Sequence, residues 1–304
     1  MSELARSHVT VSLSGDAGDE LFGGYRRYLE SQTLWNKLSL VPGFSRRGLA
    51  RAVKRVPVST LDALFGWASP MLNPYGTLNS VGDKLHRSTE LMGVKTREML
   101  YQHLVSHWKD PASVVSGAKD LVTAVSNPQV SGELPNFIER MMYTDTVSYL
   151  PDDILVKVDR ASMAVSLESR VPFLDHRVVE FAWRLPLTMK IRARKGKWLV
   201  RQVLYKYVPK ELVERPKMGF GVPIDSWLRG PLRDWAESLF EETRLKADGF
   251  FNPQPIRQKW NEHLKRTHNW QYYLWDVLMF QAWLAEWGGS TASGRVTTGQ
   301  YRLR

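Results

Sequence analysis

The chain has 304 residues, 43% of them hydrophobic and 24% charged, which is the composition of a globular chain able to bury a substantial core. It contains no cysteine, which excludes disulfides and thiolate metal sites and agrees with the cytoplasmic location that we predict, and no leader or membrane-spanning run is apparent. The net charge is +11, but the 42 basic residues are scattered rather than interleaved with stacking aromatics, so we expect no nucleic acid and no membrane among its partners.

The first predicted element is a short apolar strand over residues 9–13, which leads directly into a turn of small residues with three carboxylates. The glycines of this turn permit a close approach to the backbone, and the N–H groups of a following helix point towards an anion. Because carboxylates repel phosphate, Asp16, Asp19 and Glu20 suit a nucleotide only if Mg²⁺ lies between them and the phosphate oxygens. The turn therefore predicts a metal-bridged phosphate site, and an ordinary turn with solvated acids is the alternative.

Helical periodicity dominates the chain after this strand, so we predict a mainly helical α/β fold. A loop is expected at residues 70–76, and the polar stretch 110–132 is predicted to be a mobile connection. The predicted helices of this part cover residues 35–40, 48–56, 60–67, 96–108 and 134–149.

A central helix is predicted to begin at Pro151, since proline suits the first turn of a helix. Asp153 and Lys157 lie four residues apart on one face, a spacing that by itself fits a surface ion pair worth a few tenths of a kcal/mol. Another face carries a stripe of apolar residues at helical spacing, formed by Ile154, Val158, Ala161 and Val165.

Proline at position 172 cannot continue this helix, so the sequence predicts an irregular exit at its C-terminal end. Glu168 and Arg170 lie at this exit, where their side chains are free to turn into a cleft. Asp175 is then available to cap the next helix.

Two further segments carry basic residues. Lys197 and Arg201 begin a predicted helix and suit phosphate contacts, while Lys217 lies in a loop shaped by glycine and proline. The cluster that includes Lys197 is predicted to form a positive wall beside an anion site, and its members are Lys190, Arg192, Arg194, Lys195 and Lys197.

The last predicted helix is rich in aromatic residues, and its period favours core packing over a ligand platform. It comprises the pattern of Trp270, Tyr273, Leu274, Val277, Leu278, Gln281, Trp283 and Leu284. The sequence therefore predicts one domain over residues 1–287, followed by a flexible basic tail over residues 288–304.

Four segments, in the expected order, resemble the synthetase domain of the asparagine synthetase family. The first departs from the common pattern at Ala17, where glycine is usual. The segments are SGDAGDELFGGY at 14–25, YLPDDILVKVDRASMA with SLESRVPFLD at 149–175, KGKWLVR at 195–201, and RPKMGFGVP with WLRGPL at 215–232.

This resemblance implies a PP-loop ATPase fold of the adenine-nucleotide α-hydrolase type and an ATP-dependent amidation through an acyl-adenylate. The implied ligands are ATP, Mg²⁺, an aspartate-like carboxylate and ammonia. The implied roles are catalysis by Lys217 and by Asp16 as proton acceptor, ATP binding by Ser14, Gly15 and Lys197, metal binding by Asp19 and Glu20, and substrate contact or site lining by Asp153, Lys157, Glu168 and Arg170.

Family members also carry a Ser-Gly-Gly-x-Asp-Ser phosphate loop and, in glutamine-dependent members, a glutaminase domain with a cysteine nucleophile, and neither is present here. We therefore expect the C-terminal part of a longer synthetase, N-terminally truncated and lacking its first strands, with a glutaminase domain or subunit supplied separately. The sequence leaves the oligomeric state open. The alternatives are a non-catalytic remnant or subunit, and a relative that amidates another carboxylate, as β-lactam synthetases or polysaccharide-modifying relatives do.

Overall fold

The computed structural model describes residues 1–65, 67, 81–119, 124, 127–214 and 221–288. These residues divide into two compact units. The first comprises the described residues within 1–51, 89–105 and 122–218, and the second those within 52–88, 106–121 and 219–304. The assignment of residues 1–287 to one domain stays a prediction.

Helices dominate the described part of the chain, which confirms the mainly helical α/β prediction; the PP-loop assignment stays a prediction. No helix of the described residues is long and apolar enough to cross a membrane. Up to residue 163 the elements are α1 (Ser2–Arg6), β1 (Val11–Leu13), α2 (Gly18–Leu21), α3 (Arg26–Ser39), α4 (Gly43–Arg55), α5 (Val58–Phe65), α6 (Val81–Met92), α7 (Arg97–Val105), a 3-10 turn (Pro111–Ser113), α8 (Pro128–Glu133), α9 (Phe137–Val147), a π-turn (Leu150–Leu155) and α10 (Val156–Met163).

The remaining elements follow in chain order: β2 (Glu168–Arg170), a 3-10 turn (Pro172–Leu174), α11 (His176–Arg184), α12 (Leu187–Lys190), α13 (Trp198–Leu204), α14 (Lys210–Val213), α15 (Ile224–Arg229), α16 (Arg233–Leu239), α17 (Glu242–Asp248), α18 (Pro253–Leu264) and α19 (Gln271–Trp287).

The two strands of the first unit pair in parallel, with Val11 opposite Glu168 and Leu13 opposite Arg170. The prediction of an irregular exit at Glu168 and Arg170 is therefore wrong. This three-residue segment has no apolar alternation, so its strand conformation depends on the backbone hydrogen bonds that β1 supplies rather than on its own side chains. The pair places the end of β1 beside the end of β2.

Caps explain several helix starts. Asn127 and Asn136 accept backbone hydrogen bonds from the second helical residues of α8 and α9. Asp175 caps α11 by accepting from the N–H of Arg177 at 2.9 Å, as its position before that helix predicts. The five predicted helices between residues 35 and 149 correspond to α3, α4, α5, α7 and α9, with shifted boundaries.

The central helix differs from its prediction at its start. Pro151 lies in the first turn, as predicted, but this turn is a π-turn and the α-helix begins only at Val156. Ile154, Val158 and Val165 are half-buried, whereas Ala161 is exposed and Ser162 is buried instead. The wider π-turn shifts the angular position of the residues before it relative to those after it.

The first unit has two apolar clusters. One surrounds the fully buried Tyr28, Tyr101 and Met142, and the other joins α2 to the π-turn through Leu21, Phe22 and Leu150. The second unit has its own core around Trp260, Phe240 and Leu278. Leu274, Val277, Leu278 and Gln281 are buried, which confirms the packing role predicted for these residues of the last helix, whereas Trp283 is 56% exposed.

The predicted mobile connection over residues 110–132 contains ordered packing. Val114 is buried in the core of the second unit, and its carbonyl accepts a hydrogen bond from the Asn252 N–H at 2.8 Å. The neighbouring Val115 forms a β-bridge with Phe251. The adjacent apolar residues Val114 and Val115 were the sequence signal for this packing.

Candidate functional site

The end of β1 positions Ser14 and Asp16 in the first unit. The backbone N–H of Ser14 donates to the carbonyl of Arg170 at 2.8 Å, which extends the parallel ladder by one residue. The Ser14 hydroxyl donates to the Asp16 carboxylate, and the Asp16 N–H returns a hydrogen bond to the Ser14 oxygen at 3.4 Å. Both side chains are half-buried, so a polar pair borders solvent just beyond the strand.

The turn after Asp16 depends on a residue with a positive φ. Ala17 lies in the left-handed region at φ 65° and precedes α2, and its side chain is buried. This conformation costs a residue with a Cβ atom about 1–2 kcal/mol, a cost that glycine does not carry. The buried methyl group packs with Leu21 and Phe22, so the departure at Ala17 is accommodated by the core.

The segment after α2 packs directly against the chain around residue 196. A Cβ atom on Gly196 would lie 2.1 Å from the carbonyl oxygen of Gly23, and one on Gly24 would lie 1.9 Å from Oδ1 of Asp19. The N–H of Lys197 donates to the carbonyl of Phe22 at 2.9 Å. These glycines therefore permit a backbone contact that fixes the Lys197 segment beside α2.

This contact brings together two residues that the sequence places far apart. Nζ of Lys197 lies 2.9 Å from Oδ2 of Asp19, and the two side chains are 25% and 28% exposed. The site thus offers one cation and one carboxylate at a partly open surface. Such a pair suits a phosphate group with a bridging divalent ion, since the cation attracts the phosphate and the carboxylate the metal.

Glu20 does not face the same surface. It is 1% exposed, its carboxylate accepts the Tyr25 hydroxyl at 2.7 Å, and burial raises its pKa. Among the described residues no group of three or more histidine or acidic side chains is arranged around a metal position. Asp19 fits a magnesium ion that takes its other ligands from phosphate and water, whereas Glu20 does not fit as a ligand.

Asp153 and Lys157 are both exposed, and no ion pair joins them in the described structure. The predicted i,i+4 pair is therefore absent, because Asp153 lies in the π-turn and Lys157 beyond it, which displaces the two side chains around the axis. Glu168 and Arg170 are exposed and pair with each other at 2.7 Å. Only the backbone of Arg170 reaches Ser14, so the structure does not join these four side chains to the Asp19–Lys197 pair.

Three residues of the predicted positive wall contact other side chains instead of Asp19. Nζ of Lys190 is buried 4.6 Å from the Trp183 ring centroid, and burial lowers its pKa. The Arg192 guanidinium lies over Trp198, and Lys195 pairs with Glu214 at 2.9 Å. Of this cluster, Lys197 is the residue that the described structure pairs with Asp19.

Glu214 also forms an ion pair with Arg201, with 2.6 Å between Nη1 of the arginine and the Glu214 carboxylate. Hydrogen bonds from Tyr205 and then Lys195 lower the pKa of Glu214 to about 2. The predicted phosphate contact of Arg201 therefore competes with a structural ion pair. No motif in the sequence singles out Glu214, since the acid and its partners are spread over about twenty residues.

The family model described as asparagine synthase matches residues 1–285. The chain belongs to the asparagine synthase family. No solved structure matched the chain.

Relatives of this asparagine synthase family chain are longer. A Mycobacterium tuberculosis protein whose name describes a glutamine-hydrolysing asparagine synthetase is 32% identical over 99% of this chain and 43% of its own length. Asparagine synthetases 1 and 3 of Bacillus subtilis, both named as glutamine-hydrolysing, are 30% identical over 93% of the chain and 34% identical over 71%, covering 41% and 26% of their own lengths. The chain thus spans less than half the length of these relatives.

Two residues predicted for the site of this asparagine synthase family chain, Lys217 and Gly15, have no described contact with the Asp19–Lys197 pair. Lys217 lies outside the described residues, so its predicted role stays a prediction. Gly15 is exposed, and a Cβ atom there would meet no heavy atom within 4 Å. The described candidate site of the family member thus consists of two pairs, Ser14 with Asp16 and Asp19 with Lys197.

Sequence reasoning missed a polar network behind this surface. Asp145 is buried in α9 and accepts hydrogen bonds from Arg27, Tyr28 and Tyr101. Its signal was an aspartate inside an otherwise apolar helical stripe, where a charge requires partners.

Proposed function

We propose that this chain carries the ATP-binding surface of an amide synthetase that activates an aspartate-like β-carboxylate and transfers it to ammonia. The observation that supports this most directly is the 2.9 Å pair of Lys197 and Asp19, held at a partly open surface by the Gly23–Gly196 backbone contact. Membership of the asparagine synthase family supports the same reaction class. Stated finely, the reaction forms an acyl-adenylate and pyrophosphate, and ammonia then displaces AMP.

In this proposal each accessible group has a separate task. The ammonium group of Lys197 binds ATP phosphate and balances the charge that develops as pyrophosphate leaves. Ser14 and Gly15 contact the nucleotide through a hydroxyl and a backbone group, and Asp16 accepts a proton from the attacking amine. Asp19 holds Mg²⁺, which supplies charge neutralisation of the phosphates when bound.

Five other predicted residues keep the roles that the family resemblance implies, with Lys217 as a catalytic residue. Lys217 is proposed as a second cation for the departing pyrophosphate. Asp153, Lys157, Glu168 and Arg170 stay predictions as substrate contacts, since the described side chains are exposed and separate from the central pair. A glutaminase domain or subunit supplied separately is proposed as the ammonia source.

A non-catalytic subunit or remnant is the second candidate. Leu13 is 74% exposed and Val11 is 36% exposed on the same face of β1, so an apolar strand face has no described cover. Parallel strands are normally buried on both faces, which favours a chain that functions only with further protein around it. Absence of amide product, both alone and after addition of a portion of a relative that this chain does not span, would support this candidate.

Isotope transfer tests the proposed chemistry. Purified protein is incubated with ATP, Mg²⁺, ammonium and aspartate labelled with ¹⁸O in the β-carboxylate. Activation through an acyl-adenylate places one ¹⁸O atom in AMP and releases unlabelled pyrophosphate, because the bond that breaks during amide formation is the one between the carbonyl carbon and the labelled oxygen. Label in inorganic phosphate would contradict adenylation, and absence of any product with and without an added glutaminase portion would contradict catalysis.

A further inference from the structure

A buried carboxylate lies behind the candidate site in the first unit. Asp145 is 3% exposed, and its Oδ2 atom accepts from Nη2 of Arg27 at 2.6 Å and from the Tyr28 hydroxyl at 2.6 Å. Its Oδ1 atom accepts the Tyr101 hydroxyl at 2.6 Å. A buried charge is tolerated only when it is paired and hydrogen-bonded, and both oxygens here meet that condition.

The guanidinium of Arg27 carries the network towards the site. It lies 4.2 Å from the ring centroid of Tyr25 and 4.8 Å from that of Tyr149, while it donates to Asp145. Charge, ring contacts and hydrogen bonds thus define the position of this group together. The ring of Tyr25 is consequently held against a fixed cation.

Tyr25 connects this cation to the helix that bears Asp19. Its hydroxyl donates to Glu20 at 2.7 Å, and Glu20 directly follows Asp19 in α2. The intervening Gly24 packs against the Asp19 carboxylate so closely that a Cβ atom would overlap it. The hydrogen bond therefore closes the segment from Glu20 to Tyr25, which begins directly after Asp19.

We propose that Tyr25, Arg27 and Asp145 are positioning residues that hold α2 so that Asp19 meets Lys197. The consequence for MgATP rests on the proposed function. Glu20 serves in this network as the acceptor for Tyr25 and not as a metal ligand. The buried carboxylate of Asp145 thereby sets the position of the accessible carboxylate of Asp19.

Tyr25→Phe tests this with the least disturbance, since it removes one hydroxyl and keeps the ring over Arg27. Tyr143→Phe is the matched control, because Tyr143 is half-buried in the same unit, and its ring contacts Trp183. The first measurement is hydrogen–deuterium exchange of the ligand-free proteins. We expect at least fivefold faster exchange over residues 18–24 in Tyr25→Phe and no change there in Tyr143→Phe.

The second measurement is the dissociation constant of MgATP by calorimetry. We expect it to rise about tenfold in Tyr25→Phe and to stay within twofold of the parent in Tyr143→Phe and in Glu20→Gln, whose amide oxygen still accepts from Tyr25. Unchanged exchange over residues 18–24 would overturn the proposal, and so would a loss of affinity in Glu20→Gln equal to that in Tyr25→Phe.

The two measurements separate this inference from the proposed function. If the parent protein binds no MgATP, the proposed function fails, and the exchange comparison still decides whether Tyr25 positions α2. If the parent binds MgATP and both tyrosine variants exchange alike, the function survives and the network does not.

Discussion

Lys197 reaches Asp19 across the chain, with 2.9 Å between Nζ and Oδ2, although the two residues belong to different halves of the sequence. An ion pair that is about one-quarter exposed contributes at most about 1 kcal/mol to stability. The backbone contact between Gly196 and Gly23 brings the pair together, and it requires a much closer fit than the ion pair does. The arrangement therefore makes more physical sense as a ligand surface than as a stabilising contact.

Two single substitutions, one at each residue of the pair, test this distinction. Asp19→Asn and Lys197→Met should each change the free energy of unfolding by less than about 1 kcal/mol, because the pair is accessible to water. Each should weaken MgATP binding at least tenfold, measured by calorimetry at fixed ionic strength. Lys246→Met, which removes the exposed partner of Glu242, is the control and should leave MgATP affinity unchanged.

If the two substitutions cost several kcal/mol of stability and nothing in affinity, the pair is structural. That outcome would contradict the assignment of this surface to ATP.

The glycine contact makes a separate prediction about folding. Gly196→Ala places a Cβ atom 2.1 Å from a backbone oxygen, which cannot swing away as a side chain does, so unfolding free energy should fall by about 2–3 kcal/mol. Gly48→Ala is the control, since this glycine is exposed in α4 with no heavy atom within 4 Å of its Cβ position. It should raise stability by about 0.5–1 kcal/mol. Urea unfolding of both variants measures the difference, and equal effects would contradict the packing described.

The buried ring of His263 should make the stability of the second unit sensitive to acid. Its ring is buried, its Nδ1 atom accepts the Trp270 N–H at 3.2 Å, and burial together with Arg229 lowers its pKa to about 4 against the opposing effect of Asp225. The unfolded chain binds this proton near pH 6.5, so the contribution is complete above that pH and is lost as the pH falls from 6.5 to 4. The loss should amount to about 3 kcal/mol.

Urea unfolding as a function of pH checks the slope. His263→Asn keeps a neutral acceptor and should flatten the decline between pH 6.5 and 4, although its absolute stability is lower. His176→Asn, at an exposed position, should retain the parent slope. A decline that persists unchanged in His263→Asn would assign it to other groups.

Lys190 is the residue whose replacement should stabilise the protein. Its ammonium group is buried, and among the described residues Nζ has no hydrogen-bond partner, although it lies over Trp183. Lys190→Met keeps most of the volume and removes the desolvation cost, so we expect a gain of about 1 kcal/mol in unfolding free energy at pH 7. Thermal unfolding with Lys37→Met as the exposed control measures this gain. A loss of stability would mean that the contact with Trp183 outweighs the burial.

The sequence predicted those parts of the fold whose signal is local. Helical periods located α9, α19 and the C-terminal part of α3, and Asp175 was identified as a cap because its geometry depends on two neighbouring residues only. The strand over residues 168–170 was missed because its hydrogen-bond partner lies in β1, far away in the chain. No property of these three residues alone favours an extended conformation.

The candidate site divides in the same way. Asp19 and Lys197 were both predicted from motifs, but their mutual distance depends on the contact of Gly196 with Gly23, which is a tertiary fact. Glu20 does not fit as a metal ligand because it is buried. This burial could not be predicted from a turn that simply contains three acidic residues. The role of Lys217 rests on the family resemblance alone.

The π-turn before α10 has a consequence for comparing this chain with others. A π-turn accommodates one more residue than an α-helical turn of the same height, so it behaves as a single insertion inside a helix. Deleting one residue from the Asp152–Asp153 pair should convert the segment into a continuous α-helix and leave Tyr149 at nearly the same angular position about the axis, so its ring should stay near the guanidinium of Arg27. An α-helical segment that kept every residue would instead rotate Tyr149 by roughly 100° and move its ring away from that guanidinium, so the extra residue of the π-turn maintains this cation–π contact.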